Sequence, residues 1–311
     1  MCILFSGTPE IAVPALEFLH AHYPIASVLC SRDAKVGRKG ILMSPPVKIC
    51  AQKLEIPILQ PEKIDNNFIK EVQLLSPDLL VCFAYGKIFP QAFLSLFPFG
   101  TINLHPSLLP LWRGPSPIQA ALMAGEKITG VSVQHMAAKM DAGPVIIQEK
   151  IQIEEDDTAR SLSYKVAQMA GPLLHKTITL IREGNSKGVL QDHNKATYCH
   201  LINKESAHLN CENSAYQLEC LVRAMYDSPG AYAVWLGKNL RVLKAKALKD
   251  FSQSAQQKPG DVFAYDKLLG ILVQTGKGVL ALQELQLSGK KCLNHKEFIN
   301  GNSHIVGSRL E

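Results

Sequence analysis

An α/β fold is predicted: a Rossmann-like open, mostly parallel sheet, followed by a smaller C-terminal β-barrel domain of OB (oligonucleotide-binding) type. Two observations carry this prediction. In the first half, short apolar runs alternate with helical patterns, which is how parallel α/β sheets read. Beyond residue 205 that rhythm gives way to several short, closely spaced strand-like runs separated by turn residues, as in a small barrel. At 311 residues the chain also exceeds the usual size of one core. The expected division is a domain over 1–184, a linker over 185–205 and a second domain over 206–311.

Element by element, residues 3–5 read as the first buried strand. Ser6-Gly7-Thr8-Pro9 follows, with Thr8 placed to cap a helix and Pro9 suited to its first position. Pro14 falls within that helix, so the helix is kinked or starts later. Residues 26–30, 79–83 and 101–104 read as further buried strands, and 131–136 alternates as a half-exposed strand would. From 157 to 182, Leu162, Val166, Met169, Leu173, Leu174 and Ile178 recur at helical spacing, with Pro172 suggesting a bend and Gly184 following the last turn. Residues 183–204 are polar and linker-like. Residues 214–225 read as one amphipathic helix, and strand-like runs follow at 231–236, 240–243, 270–274 and 278–282.

Hydrophobic residues make up 47% of the chain, enough for buried cores and too many for a disordered protein. No run approaches the ~20 apolar residues of a membrane span. The N-terminus enters an apolar strand directly with no basic region before it, so a secretory signal is not expected and the protein should be cytoplasmic. The eight cysteines are scattered without a Cys-x-x-Cys pair and read as buried small hydrophobes. No His/Cys/Asp/Glu set has ligand spacing, so no metal is implied. The formal charge is +6; residues 206–311 carry 13 Lys+Arg against 9 Asp+Glu, and the loop from 31 to 48 is basic. One basic loop and one basic domain suit a polyanionic partner, although charge alone also fits a mildly basic surface that binds nothing.

The chemistry concentrates in Asn103-Leu104-His105-Pro106-Ser107-Leu108-Leu109-Pro110 and in Asp141 of Met140-Asp141-Ala142-Gly143. These place an amide, an imidazole and a carboxylate at the ends of adjacent strands, where open α/β sheets carry their sites. An amide and an imidazole can hold a developing oxyanion, and a carboxylate can orient the imidazole or take a proton. None of the three forms a covalent intermediate readily, so the set suits direct transfer of a small acyl group to an amine. Taken singly, Asn103 reads as a turn residue and His105 as a structural histidine; together with Asp141 the balance reverses. Gly7 lacks the companions of a dinucleotide or P-loop motif and reads as a tight strand-to-helix turn.

Residues 102–110, with Arg113-Gly114-Pro115-Ser116-Pro117-Ile118 and Gly130-Val131 to Asp141-Ala142-Gly143, resemble the folate-dependent formyltransferases, above all those acting on initiator methionyl-tRNA. The likeness begins at Phe5-Ser6-Gly7-Thr8-Pro9, runs through Ala84-Tyr85-Gly86 and enters the C-terminal third. It implies the formyltransferase fold for the first domain, with 10-formyltetrahydrofolate as formyl donor and co-substrate. Asn103, His105 and Asp141 would be catalytic, and Ser107, Leu108, Leu109, Pro110, Tyr85 and Gly86 folate-binding. Arg38 best matches an arginine that reaches the tRNA acceptor stem, with Lys39 and Arg32 beside it. Lys244 and Lys246 of the second domain would track phosphates. The expected partners are folate and initiator methionyl-tRNA, with no membrane and a monomeric chain. Two other readings stand beside this one. A formyltransferase for a small amine (a purine precursor or an amino sugar nucleotide) has no use for a basic loop and barrel, and an inactive nucleic-acid-binding protein has none for an intact trio.

Overall fold

The computed structural model describes residues 1–36, 40–248 and 257–311. They form two compact units. Met1–Pro117, Ile128–Gln152 and Ser163–Cys199 make the first; Ile118–Lys127, Ile153–Leu162 and His200–Glu311 make the second.

In the first unit, β1 (Ile3–Ser6) is buried along its whole length and leads to α1 (Val13–His22) and β2 (Ile25–Leu29). Of the two alternatives for Pro14 the later start holds: α1 begins at Val13, so Pro14 lies in its first turn, where a missing N–H costs nothing. A small hairpin of β3 (Ala34–Val36) and β4 (Ile41–Met43) follows, then α2 (Pro46–Lys53), β5 (Ile58–Leu59) and α3 (Asn66–Leu75). Next come β6 (Leu79–Phe83), the short α4 (Gln91–Leu94) and β7 (Thr101–His105). Then β8 (Ile128–His135), β9 (Val145–Gln152) and the greater part of α6 (Ala159–Arg182), with Pro172 inside it, follow in order, while α5 (Pro117–Met123) beyond its first residue and the first turn of α6 belong to the second unit.

The sheet order is β5-β2-β1-β6-β7-β8-β9. Its first five strands run parallel, and β8 and β9 add antiparallel. The parallel strands β1 and β6 are continuously apolar apart from Ser6, as strands covered on both faces must be. The chain winds outward from β1 through β2 to β5, then returns to place β6 on the other side of β1. That reversal opens a crevice at the carboxyl ends of β1 and β6, the position where ligands enter open α/β sheets. Gly7 follows β1 there and is buried, and a Cβ on it would stand 2.8 Å from the Phe83 carbonyl oxygen.

The second unit contains α7 (Ala215–Ala224), whose N-terminus is closed by a reciprocal Ser214–Gln217 capping box. After it come β10 (Tyr232–Trp235), β11 (Lys238–Leu248), β12 (Val262–Asp266), β13 (Gly270–Gln274), β14 (Val279–Leu287), β15 (Leu293–Asn294) and α8 (His295–Gly301). All pairings are antiparallel in the order β10-β11-β14-β13-β12, with β15 also on β14. Three hairpin-linked strands with β11 returning beside β14 is a Greek-key order, as in OB-type barrels. The result is an antiparallel half-barrel: β10 and β12 are its edges and do not pair with each other among the described residues. Leu218, Val222, Trp235, Leu240, Leu282 and Phe298 fill its core.

Candidate active site

Residues two apart on a strand share a face. β7 therefore presents Asn103 and His105 side by side, and across the antiparallel ladder Gln134 stands opposite Asn103 and Ser132 opposite His105. Gln148 of β9 continues the row beyond Ser132. Alternation in this stretch suggested a half-exposed strand. Instead Ser132 and Gln134 are both buried, because their face is the floor of a polar site rather than a surface.

Asp141 reaches this face from the β8–β9 loop in the left-handed conformation, φ 52°. Its Oδ2 accepts the Gly114 N–H at 2.9 Å. Its Oδ1 accepts from Gln134 Nε2 at 3.2 Å and from Asn103 Nδ2 at 3.5 Å, and lies 3.6 Å from His105 Nδ1. On the far side of the imidazole, Nε2 lies 2.9 Å from the Trp112 carbonyl. A carbonyl only accepts, so Nε2 carries a hydrogen and the Nδ1 edge is turned to Asp141. Trp112 also has a left-handed backbone, φ 57°, and is pinned there by its N–H donating to Thr197 Oγ1 at 2.8 Å. Non-glycine residues held in this region cluster at functional sites; here one of them, Asp141, carries the carboxylate and the other, Trp112, holds the imidazole.

The turn at residues 107–110 is fixed from within and from the sheet. Ser107 Oγ donates to the Leu111 carbonyl at 2.6 Å. Ser132 Oγ accepts the Leu109 N–H at 3.0 Å and donates to the Ser107 carbonyl at 2.5 Å, while Gln148 Nε2 donates to the Leu109 carbonyl at 2.9 Å. Ser107 and Leu109 are buried, whereas Leu108 and Pro110 are half-buried. Tyr85 is buried too; its ring stacks on Phe89 at 5.2 Å, and burial pushes its phenol up to about 12. What this segment can offer a ligand is therefore backbone, shaped by left-handed Ala84 and Gly86 and tied to Thr8.

Two thiols lie near the site. Burial pushes Cys82 up to about 12 and raises Cys199 as well, so neither is a thiolate at neutral pH. Among the described residues no group of three or more His, Cys, Asp or Glu is arranged to hold a metal ion.

Arg32 pairs with Glu62 at 3.2 Å, both exposed, and Lys48 grips Asp33 at 2.7 Å. That hydrogen bond, helped by one from Gln60, holds the Asp33 carboxyl below its usual range. Arg38 and Lys39 lie outside the described residues. β4 exposes Ile41, Leu42 and Met43, an apolar run the sequence reading passed over. In the second unit Lys244 is exposed on β11 opposite Glu284. Lys246 lies 3.2 Å from Glu219 and 3.6 Å from Glu155. Burial pulls its ammonium down, but the two carboxylates outweigh that and the net shift is upward.

Arg113, Gly114, Ser132, Gln134, Gln148, Gln191 and Thr197 all take part in holding the site, and none received a role from sequence. Ser132 and Gln134 showed in the sequence only as polar residues alternating in an apolar strand, the pattern of a half-exposed face; Gln191 and Thr197 gave no signal.

Comparison with known proteins accords with this geometry. The family profile described as Formyl transferase matches residues 1–178, and that described as Formyl transferase, C-terminal domain, matches residues 201–303. Methionyl-tRNA formyltransferase of Treponema denticola is 37% identical, and that of Carboxydothermus hydrogenoformans 36%, each comparison covering 100% of both chains. Among solved structures, a sugar 3N-formyl transferase, WlaRD, superposes with a TM-score of 0.65 at 18% identity, covering 94% of this chain and 99% of that one. Methionyl-tRNA formyltransferase from Clostridium thermocellum gives 0.57 at 15% identity, covering 81% and 95%. These two share the fold. With full-length relatives and both family profiles in agreement, the chain belongs to the methionyl-tRNA formyltransferases, within the formyl transferase family.

Proposed function

We propose that the chain transfers the formyl group of 10-formyltetrahydrofolate to the free amino group of methionine on initiator methionyl-tRNA, for translation initiation in the cytoplasm. The observation that carries this reading is the convergence of Asn103, His105 and Asp141 at the end of β7, in a chain related over its whole length to methionyl-tRNA formyltransferases. Donors and a carboxylate without a reactive nucleophile fit a formyl donor already activated on N10: the amine bonds to the formyl carbon and the carbon–N10 bond breaks.

The residues divide that work. Asn103 Nδ2 turns one hydrogen to Asp141 and keeps the other for the formyl oxygen as negative charge builds there. His105, when Nδ1 is protonated, adds a second donor and supplies the proton that N10 needs to depart. Asp141 keeps the imidazole oriented and accepts the proton lost by the attacking amine, directly or through water. An α-amino group has a pKa of about 8, lower beside an ester, so positioning matters more than a strong base. The turn at residues 107–110 and the backbone of Tyr85 and Gly86 would hold the folate. Arg32, Arg38, Lys39, Lys244 and Lys246 would meet tRNA phosphates, with the exposed apolar run of β4 following the first three in the sequence.

The test is formyl transfer from 10-formyltetrahydrofolate to charged initiator tRNA, with uncharged tRNA, free methionine and an amino sugar nucleotide as alternative acceptors. Transfer confined to the charged tRNA is expected. Transfer to the sugar instead would overturn the acceptor, and no transfer to any would overturn the reaction.

A further inference from the structure

Arg113 is 1% exposed, yet among the described residues no carboxylate pairs with it. A buried guanidinium without a counter-ion is costly unless its hydrogen bonds are completed. Its Nε and Nη2 donate to Gln191 Oε1 at 3.1 and 2.7 Å, Nη2 also lies 3.1 Å from His193 Nδ1, and Nη1 is 3.4 Å from the Tyr198 hydroxyl. Arginine only donates, so the orientation of the Gln191 amide is settled: oxygen to Arg113, nitrogen away. Its Nε2 then donates to Gln134 Oε1 at 3.2 Å, and that in turn sets Gln134 Nε2 toward Asp141 Oδ1 at 3.2 Å. The same Gln191 nitrogen reaches the carbonyls of Asp141 at 3.0 Å and Gly143 at 2.7 Å, clasping the loop that carries the carboxylate.

The geometry points to Gln191 as a positioning residue for the catalytic carboxylate: an oriented relay, Arg113 to Gln191 to Gln134 to Asp141, passes the field of a buried cation to Asp141 and holds its left-handed loop in place. The inference rests on the reading of Asp141 as catalytic. Each link puts a donor against an acceptor, so the relay fixes the direction of every bond up to Asp141 Oδ1, and chains of such bonds polarise one another. The other titratable groups around Asp141 are His105 and the buried thiols of Cys82 and Cys199; His193 faces Arg113. Gln191 lies 50 residues along the chain from Asp141 and 78 from Arg113, which is why no local pattern announced it.

Gln191→Glu is the discriminating variant. It keeps shape and can pair with Arg113, so folding is retained, but it sets a carboxylate oxygen against three acceptors. Turnover should fall about 10- to 100-fold, the range for groups that support a catalytic residue, with KM for tRNA and folate within about threefold. The acid limb of the pH–rate profile should move to higher pH, and Gln134→Glu should move it the same way. In parallel, 13C-carboxylate NMR of Asp141, assigned with Asp141→Asn, should show its titration moving upward in Gln191→Glu. Wild-type turnover with an unmoved acid limb in both variants would overturn the relay. So would equal losses in kcat, KM and melting temperature with an unmoved Asp141 titration, which would leave Gln191 a purely structural group. If wild-type protein transfers no formyl group while the NMR titration still shifts, the relay stands and the functional reading falls.

Discussion

The polar face of β7 and β8 and the charged surface of β11 solve opposite problems. On the first, the side chains of His105 and Asp141 are only 5% and 12% exposed, and the groups around them constrain one another through bonds of defined direction. On the second, Lys244 and Lys246 stand in or near water, opposite Glu284 and against Glu219 and Glu155. Buried polar groups interact strongly in a low dielectric, so a few of them can set one geometry for bond making. Exposed charges are screened and each contributes little, so a surface built from them holds a polyanion by number and tolerates change. Loss of one side chain should thus be severe in the first region and mild in the second.

The sharpest test is Asp141→Asn. An amide at this position offers an NH2 group where Gly114, Gln134 and Asn103 already donate, and it accepts no proton. Turnover should drop by about 10²- to 10⁴-fold while folate affinity stays within a few-fold. Equilibrium folate binding beside single-turnover kinetics checks this; wild-type turnover would remove Asp141 from the chemistry and erase the contrast between the regions.

Arg113→Met comes next. It fills much of the same space but strands Gln191 Oε1 and unties Tyr198, whose phenol the Arg113 hydrogen bond holds below its usual value. A cost of about 3 kcal/mol in denaturant unfolding is expected, in line with breaking a buried network. A loss under about 1 kcal/mol would show that the guanidinium is not the anchor of the site.

Asn103 and His105 were legible in the sequence because one strand carries both, and their spacing alone puts them on one face. Asp141 was legible through its glycine-flanked loop. What could not be read is whatever depends on pairing across the sheet. Gln134 alternates with apolar neighbours just as a solvent-facing residue would, and only the antiparallel addition of β8 beside β7 turns it inward. Gln191 and Thr197 sit in the polar stretch expected as a linker, yet residues up to 199 belong to the first unit, where Val189 exchanges backbone hydrogen bonds with Val145 and Cys199 N–H donates to Arg113. In the second unit the helix at 214–225 was clear from its period. β12 was missed, and β11 runs well past the 240–243 expected, because alternating lysines broke its apolar run. Charge was legible only as a sum: counting lysines revealed a basic domain but not that Lys246 is already claimed by two carboxylates.

That last pair grades the second region internally. Glu219 is buried; its Oε2 accepts the Ala247 N–H at 2.8 Å while Oε1 faces Lys246. Glu219→Ala leaves a strand N–H unsatisfied and should cost about 1–3 kcal/mol. Lys246→Ala removes a side chain 46% exposed and should cost less than about 1 kcal/mol. Urea titrations of both variants decide it, and equal costs would mean that the ion pair, rather than the buried hydrogen bond, carries the stability.

The smallest effect belongs to Lys244→Ala and to Arg38→Ala, the latter a position argued from sequence alone. If each meets one phosphate, each substitution should weaken tRNA binding only modestly and lower the slope of log affinity against log salt by about 0.7–0.9, leaving folate binding and turnover at saturating tRNA unchanged. Filter binding across a salt series measures the slope directly. Near-complete loss of tRNA use from either substitution would mean that recognition is concentrated in a few contacts, as the chemistry is. An unchanged slope in both would take these cations off the nucleic-acid path and leave β4, with its exposed Ile41, Leu42 and Met43, as the next surface to probe.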